Sequence, residues 1–244
     1  MRRFADLHLE PDSRKEQLDR LIQTASELGF KLVGISLSSR GMRDSFDLTH
    51  SICKAYGVDF AARIDLAPRS SHDLLKSLRR FRRRFEVVAV KCFSKGLARQ
   101  AAKDHRVDVL VFPSTDPRKR FFDDAEAKLA SQATAALEIN IAVLLKLAGF
   151  SRTRLLSCLR KEVAIADKFD IPVVLSSSAV DATDLRGPGD FASLATLFGM
   201  DLASALEAVS TVPWGIVETN RKKLDSSYIA RGVRILRSGK NCDA

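Results

Sequence analysis

Asp6, His8 and Glu10 occupy alternate positions of the segment FADLHLEP, residues 4–11. Strand side chains alternate between faces, so a regular strand presents all three on one side. That grouping looks like one third of a metal-dependent hydrolase site. A zinc, manganese or iron site needs about three to six donors, gathered from several strands. The chain has four histidines: His8, His50, His72 and His105. His50 falls inside the helical pattern SFDLTHSICKAY, His72 opens SSHDLLKSL, and His105 precedes the apolar run of KDHRVDVLVF. None of these three follows a strand, where a barrel would need a ligand. The opening segment therefore reads as the remains of an active site, with no metal and no catalytic residue to assign.

Other polar residues fall where strands should end: Ser38, Ser39, Arg40, Arg63, Asp65, Lys91, Ser114, Glu138, Ser176, Ser177 and Ser178. In a parallel barrel that end carries function. A catalytic arrangement would use Glu138 or Asp6 as a base, with Lys91 or Arg63 stabilising an anion. The competing arrangement is a ring of mutually satisfied charges, since a buried charge must be paired. No nucleophile–base pair can be fixed, which favours the ring. The three consecutive serines read as caps of the helix that follows them.

These residues need a scaffold, and the chain supplies one. Short β-branched runs occur at 3–9, 32–38, 59–66, 86–93, 108–113, 135–141 and 172–178. Between them lie amphipathic stretches with apolar residues three and four apart. Leu18, Leu21, Ile22, Ala25 and Leu28 make one face, and Leu74, Leu75, Leu78, Phe81 and Phe85 another. Seven βα units with continuous apolar strands imply a parallel sheet covered by helices, which right-handed crossovers can close into a barrel. An open doubly wound sheet is the alternative, without a G-x-G-x-x-G or P-loop signature to support it. The 244 residues, 45% hydrophobic, suit one such domain. The barrel is expected over 1–212, with a basic helix or extension, 213–244, packed on it or trailing from it.

The formal net charge of +10 is large for a metabolic enzyme and points to a polyanionic partner. The segment RRFRRRF (79–85) concentrates it. If Phe81 and Phe85 continue the apolar face of one helix, Arg79, Arg80, Arg82, Arg83 and Arg84 lie on its solvent side. One or two cations would serve the helix dipole, and five repel each other, so phosphate contact is the better explanation. Arg118, Lys119 and Arg120 add a second candidate RNA-binding set, and Arg152 with Arg154, Arg160-Lys161 and Arg221-Lys222-Lys223 add smaller clusters. No zinc-finger spacing or RNP-type aromatic pattern is present, so RNA would be held through shape and phosphates. Cys53, Cys92, Cys158 and Cys242 form no C-x-x-C pair, which suits a reducing cytoplasm. No secretory signal opens the chain, and Glu138, Asn140 and Lys146 break its most apolar stretch, so no membrane association is expected.

Two further stretches connect these readings. LRGPGDFASLATLFGM (185–200) is followed by ALEAVST (205–211). With FADLHLEP, they make the chain resemble the protein component 3 family of ribonuclease P, archaeal subunits with a eukaryotic nuclear counterpart. The matching features run nearly end to end: the F-A-D-L start with Asp6, the strand Leu137-Glu138-Ile139, and VVLSSSA (173–179) with Ser177. The most specific is R-x-P-x-D-x-x-x-L-x-x-L-F-G, matched by Arg186, Pro188, Asp190, Leu194, Leu197, Phe198 and Gly199. Departures are mild: His8 at the third opening position and Ser178 where a small residue is usual.

The resemblance implies a single-domain TIM-like (β/α) barrel of about seven parallel strands, related to the polymerase-and-histidinol-phosphatase hydrolases. Those carry H-x-H on the first strand and D-x-H near the last. Here the first has become His8-Leu9-Glu10 and the last serine and alanine. It also implies a subunit of an endonuclease that removes the 5′ leader from precursor tRNA. The enzyme's RNA would perform catalysis and need Mg, while this chain would bind no cofactor. Its partners would be ribonuclease P RNA, precursor tRNA, a small ferredoxin-like protein subunit and other holoenzyme proteins. Two enzyme readings compete: a metal-dependent phosphoesterase using Asp6, His8, Glu10 and Glu138, and a barrel enzyme acting on a phosphorylated metabolite. The first lacks a late D-x-H, and the second leaves the arginine cluster without a purpose.

Overall fold

Each of the seven apolar runs forms a strand in the computed structural model, which describes residues 2–12, 14–37, 42–230 and 233–234. In chain order the elements are β1 (Phe4–Leu9), α1 (Lys15–Glu27), β2 (Phe30–Ser36), α2 (Met42–Ala55), β3 (Asp59–Leu66), α3 (Ser71–Phe81) and β4 (Val87–Lys91). Then come α4 (Lys95–Ala102), β5 (Val109–Val111), α5 (Asp124–Ala133), β6 (Ala136–Asn140), α6 (Ile141–Lys146), α7 (Gly149–Lys168) and β7 (Val173–Ser176). The chain continues through α8 (Pro188–Thr196), α9 (Leu202–Ala208), α10 (Thr211–Leu224) and a small hairpin of β8 (Tyr228–Ala230) with β9 (Val233–Arg234). Ser38, Ser39, Arg40 and Cys242 lie outside the described residues.

The main strands pair in parallel in the order β1-β2-β3-β4-β5-β6-β7. β1 meets the segment that follows β7 through one bridge, Leu9 with Ala179, and through Glu10 N–H donating to Ala179 O at 2.9 Å. The sheet thus curls into a nearly closed barrel. Successive strand residues feed two cores. Val33, Ile35, Val88, Val90, Leu110, Leu137 and Leu175 face outward to the helices. There they meet residues such as Leu18, Leu21, Ile22 and Ala25 of α1, and Leu74, Leu78 and Phe81 of α3. Ala5, Leu7, Leu32, Ala61, Val87, Ala89, Val109, Ala136 and Val174 fill the lumen. They are mostly small because seven strands leave little interior room. The floor is α10, which places Val217 in the lumen cluster, with Val212, Trp214 and Ile216 against it. Asn220 of α10 donates to Glu86 O at 2.8 Å and ties the helix to the foot of β4.

β1 is not regular. Asp6 pairs with Val33 and Leu9 with Ile35, so Leu7 and His8 together oppose Gly34. A bulge of this kind re-aims the side chains that follow it. The close approach requires a glycine: a Cβ at Gly34 would lie 2.4 Å from Leu7 O. This corrects the expectation that Asp6, His8 and Glu10 share one face. Ala5 and Leu7 point into the lumen, so Asp6 between them points outward, and the bulge then turns His8 inward.

Candidate functional site: the mouth of the barrel

At the C-terminal ends of the strands the small lumen residues give way to charges. β3 contributes Arg63 and Asp65, β4 Lys91, β6 Glu138, β7 Ser176, and the bulged β1 contributes His8 followed by Glu10. Arg63, with a side chain 0% exposed, sits at the centre. Its Nη2 donates to Asp65 Oδ1 at 2.8 Å, and its Nη1 donates to Leu7 O at 2.9 Å. Nη1 also stands 2.7 Å from Glu138 Oε2 as a charge contact; the angle is not that of a hydrogen bond, and Oε2 accepts none. The other oxygen of Glu138 accepts from Ser176 Oγ at 2.7 Å and closely meets His8 Nδ1. His8 Nε2 lies 2.9 Å from Glu10 Oε1, which also takes Lys91 Nζ at 3.0 Å. Ser36 Oγ donates to Asp65 Oδ2 at 2.7 Å and completes the ring.

The electrostatics follow from these partners. Burial pushes Glu138 up, but Arg63 and His8 outweigh it and hold the carboxyl at about 2. Burial and Arg63 push His8 down, and Glu138 with Glu10 reverse this, raising the imidazole to about 9. The His8 hydrogen bond holds Glu10 at about 2 against its own burial, with help from Lys91. Burial raises Asp65 less than Arg63 and His8 lower it. At neutral pH three cations, His8, Arg63 and Lys91, therefore neutralise three carboxylates, Glu10, Asp65 and Glu138. Asp6 stands apart at the β1–β7 seam. It accepts the amides of His8 at 3.0 Å and of Ser177 at 3.2 Å, and burial raises its carboxyl to about 6.

A divalent metal would have to break pairs that these residues already make. His8, Glu10 and Asp65 do bring one donor atom each within 4.8 Å of one another. Both ring nitrogens of His8 are already engaged, Nδ1 by Glu138 and Nε2 by Glu10. The two carboxylates already hold Lys91 and Arg63. The cavity over the ring, about 180 Å³, is also lined by Arg120 and Asn140. The serines do not cap a helix as expected: Ser176 serves Glu138, Ser177 Oγ reaches His8 O at 3.4 Å, and Ser178 Oγ lies 2.8 Å from His8 Nδ1.

The basic candidates are scattered. α3 ends at Phe81, so Arg82, Arg83 and Arg84 stand in the turn before β4 rather than on helical surface. Arg82 turns inward to Asp108, against the expectation that all five arginines face solvent. Arg79, Arg80, Arg83 and Arg84 are exposed. Arg118 and Lys119 are exposed at the opposite, C-terminal end, but the Arg120 side chain is 8% exposed and forks onto Glu162, with two bonds of 2.6 Å. Arg186 Nη1 donates to Thr183 O and Leu185 O, at 2.8 and 2.6 Å. α8 begins at Pro188, and Asp190 accepts the Gly187 amide at 3.1 Å from within its first turn. The polar partners Ser36 and Glu162 carry no signal in the sequence, because each is defined by a residue distant along the chain.

Comparison with known families decides between the readings. A model described as RNase P subunit p30 matches residues 3–225. The chain belongs to the ribonuclease P subunit p30 family. Curated p30 relatives named ribonuclease P protein component 3 include that of Methanococcoides burtonii, 33% identical over 96% of this chain and 94% of the relative. That of Methanothermobacter thermautotrophicus is 29% identical over 96% of each. Among solved structures, a chain in the cryo-EM structure of archaeal ribonuclease P with mature tRNA superposes with a TM-score of 0.83. It is 22% identical, over 96% of this chain and 99% of that one. The barrel also resembles that of A. niger ochratoxinase, with a TM-score of 0.60 at 11% identity, over 89% of this chain and 71% of that one.

Proposed function

We propose that the chain serves ribonuclease P as a non-catalytic protein subunit that binds the enzyme's RNA and supports removal of the 5′ leader from precursor tRNA. The carrying observation is the state of the barrel mouth. Among the described residues, three cations and three carboxylates pair with one another there, so that each carboxylate already holds a cation. This leaves a stable scaffold with a net charge of +10. Family membership and the likeness to a chain of archaeal ribonuclease P with mature tRNA support the same reading. Mg in the holoenzyme belongs to the RNA, and a small ferredoxin-like subunit is the nearest protein partner. No helix among the described residues is long and apolar enough to cross a membrane, which is consistent with work in the cytoplasm.

Omission tests the proposal. Ribonuclease P RNA reconstituted with its protein subunits should process precursor tRNA markedly faster at physiological Mg when this chain is present. The chain alone should leave precursor tRNA intact. Equal rates with and without the chain, or cleavage by the chain alone, would refute the assignment.

A further inference from the structure

Charge is paired differently at the two ends of the barrel. At the mouth most cations are taken: Arg63, Lys91, Lys95, Arg120 and Lys146 each hold a carboxylate, and Arg118 and Lys119 are the exposed exceptions. At the N-terminal rim, between β3 and β5, the carboxylates are taken instead. Asp59 and Glu86 hold Arg221, Asp108 holds Arg82, and Asp104 holds Arg106. This leaves Arg79, Arg80, Arg83, Arg84, Lys222 and Lys223 exposed, without an ion pair to any described residue. The fold brings them together. Arg82 Nη1 donates to Arg106 O at 3.4 Å, which binds the α3–β4 turn to the α4–β5 turn. Arg84 and Arg221 line one open groove of about 480 Å³, and Lys222 and Lys223 follow Arg221 on α10.

We infer that the RNA docks by its phosphates on this N-terminal rim, the end of the barrel opposite the mouth. The inference rests on the proposed ribonuclease P role and adds where the RNA sits. Like charges crowded in one turn repel, and a polyanion relieves that repulsion while releasing its own counterions. Guanidinium forks match phosphate oxygens, and each one here has its donors free for a ligand. An acidic protein would be the other occupant. A protein interface is built on an apolar centre, and Phe46 is the one exposed large hydrophobic side chain lining the groove. The inference also reverses the usual use of such a barrel, in which ligands meet the C-terminal face.

The test compares two full-length variants that remove equal charge, with log affinity for ribonuclease P RNA measured against log salt. Arg80→Gln/Arg83→Gln/Arg84→Gln should flatten the slope by roughly two units, at about 0.7–0.9 per phosphate contact. Lys15→Gln/Arg20→Gln/Lys128→Gln removes exposed cations elsewhere and should leave the slope within error. Arg80→Lys/Arg83→Lys/Arg84→Lys should keep most of the wild-type slope, which separates charge from any folding defect. Equal slopes for wild type and the rim variant would overturn the inference. So would flattening in Arg118→Gln/Lys119→Gln instead, or loss of a protein partner with the RNA slope intact. Wild type that fails to bind the RNA at all would refute the functional proposal itself.

Discussion

Arg63 carries the most consequence of any single side chain. It is fully buried and holds Asp65, Glu138 and the Leu7 carbonyl together. Removing one member of a buried ion cluster leaves the others charged and unpaired. Arg63→Met should therefore cost about 3–5 kcal/mol, read as a lower urea midpoint; an unchanged midpoint would show that the ring is not needed for stability. The ring also makes stability depend on pH. His8 has its folded value raised from 6.5 to about 9, so its contribution is complete below 6.5 and is lost as pH rises through 9. Glu10 and Glu138 are lowered from 4.5 to about 2, so theirs is complete above 4.5 and is lost as pH falls through 2. Asp6 has the opposite sign to those carboxylates: raised from 3.8 to about 6, it favours folding below 3.8 and ceases to as pH passes 6. Urea unfolding at pH 6 and pH 9 should show a loss for the wild type that His8→Gln reduces. An equal loss in both would contradict a charged His8. The types and strand-end places of His8, Arg63, Lys91 and Glu138 are legible in the sequence; their pairing is not, because the partners lie on different strands.

Elements were legible wherever periodicity alone decides. β3 occupies 59–66 as expected, and the apolar face of α1 buries Leu18, Leu21, Ile22 and Ala25. The misreadings have local causes. Phe81 and Phe85 are four apart and imitate a continuing helix, yet α3 stops at Phe81, where Arg82 finds Asp108 on a turn 26 residues away. The β1 bulge hides because alternation is the default for a strand, and its one sign is Gly34 inside an apolar run. Gly34→Ala should cost about 1–3 kcal/mol or more through overpacking, since the new methyl group would meet the Leu7 backbone. A melting temperature equal to wild type would show that β1 can move aside. Asp190→Ala should cost about 1 kcal/mol by freeing the Gly187 amide at the start of α8. Unchanged stability there would remove Asp190 from any structural role.

The whole molecule is a seven-stranded parallel barrel whose two ends pair their charges differently. Its mouth keeps the position of an active site and fills it with charges that satisfy one another. Its floor, closed by α10, carries the unpaired basic turns. Net charge and the arginine-rich segment announce a polyanionic partner from sequence alone, but not which end meets it, because the carboxylates that neutralise the mouth cations come from elsewhere in the chain. The central claim is that the mouth supports the fold and does no chemistry. Precursor-tRNA processing by the reconstituted holoenzyme carrying Glu10→Gln tests this most directly, since Glu10 is half-exposed and its loss should spare the fold. Turnover within about twofold of wild type is predicted. A loss of a hundredfold or more, with RNA affinity and melting temperature unchanged, would contradict it and restore the mouth as an active site.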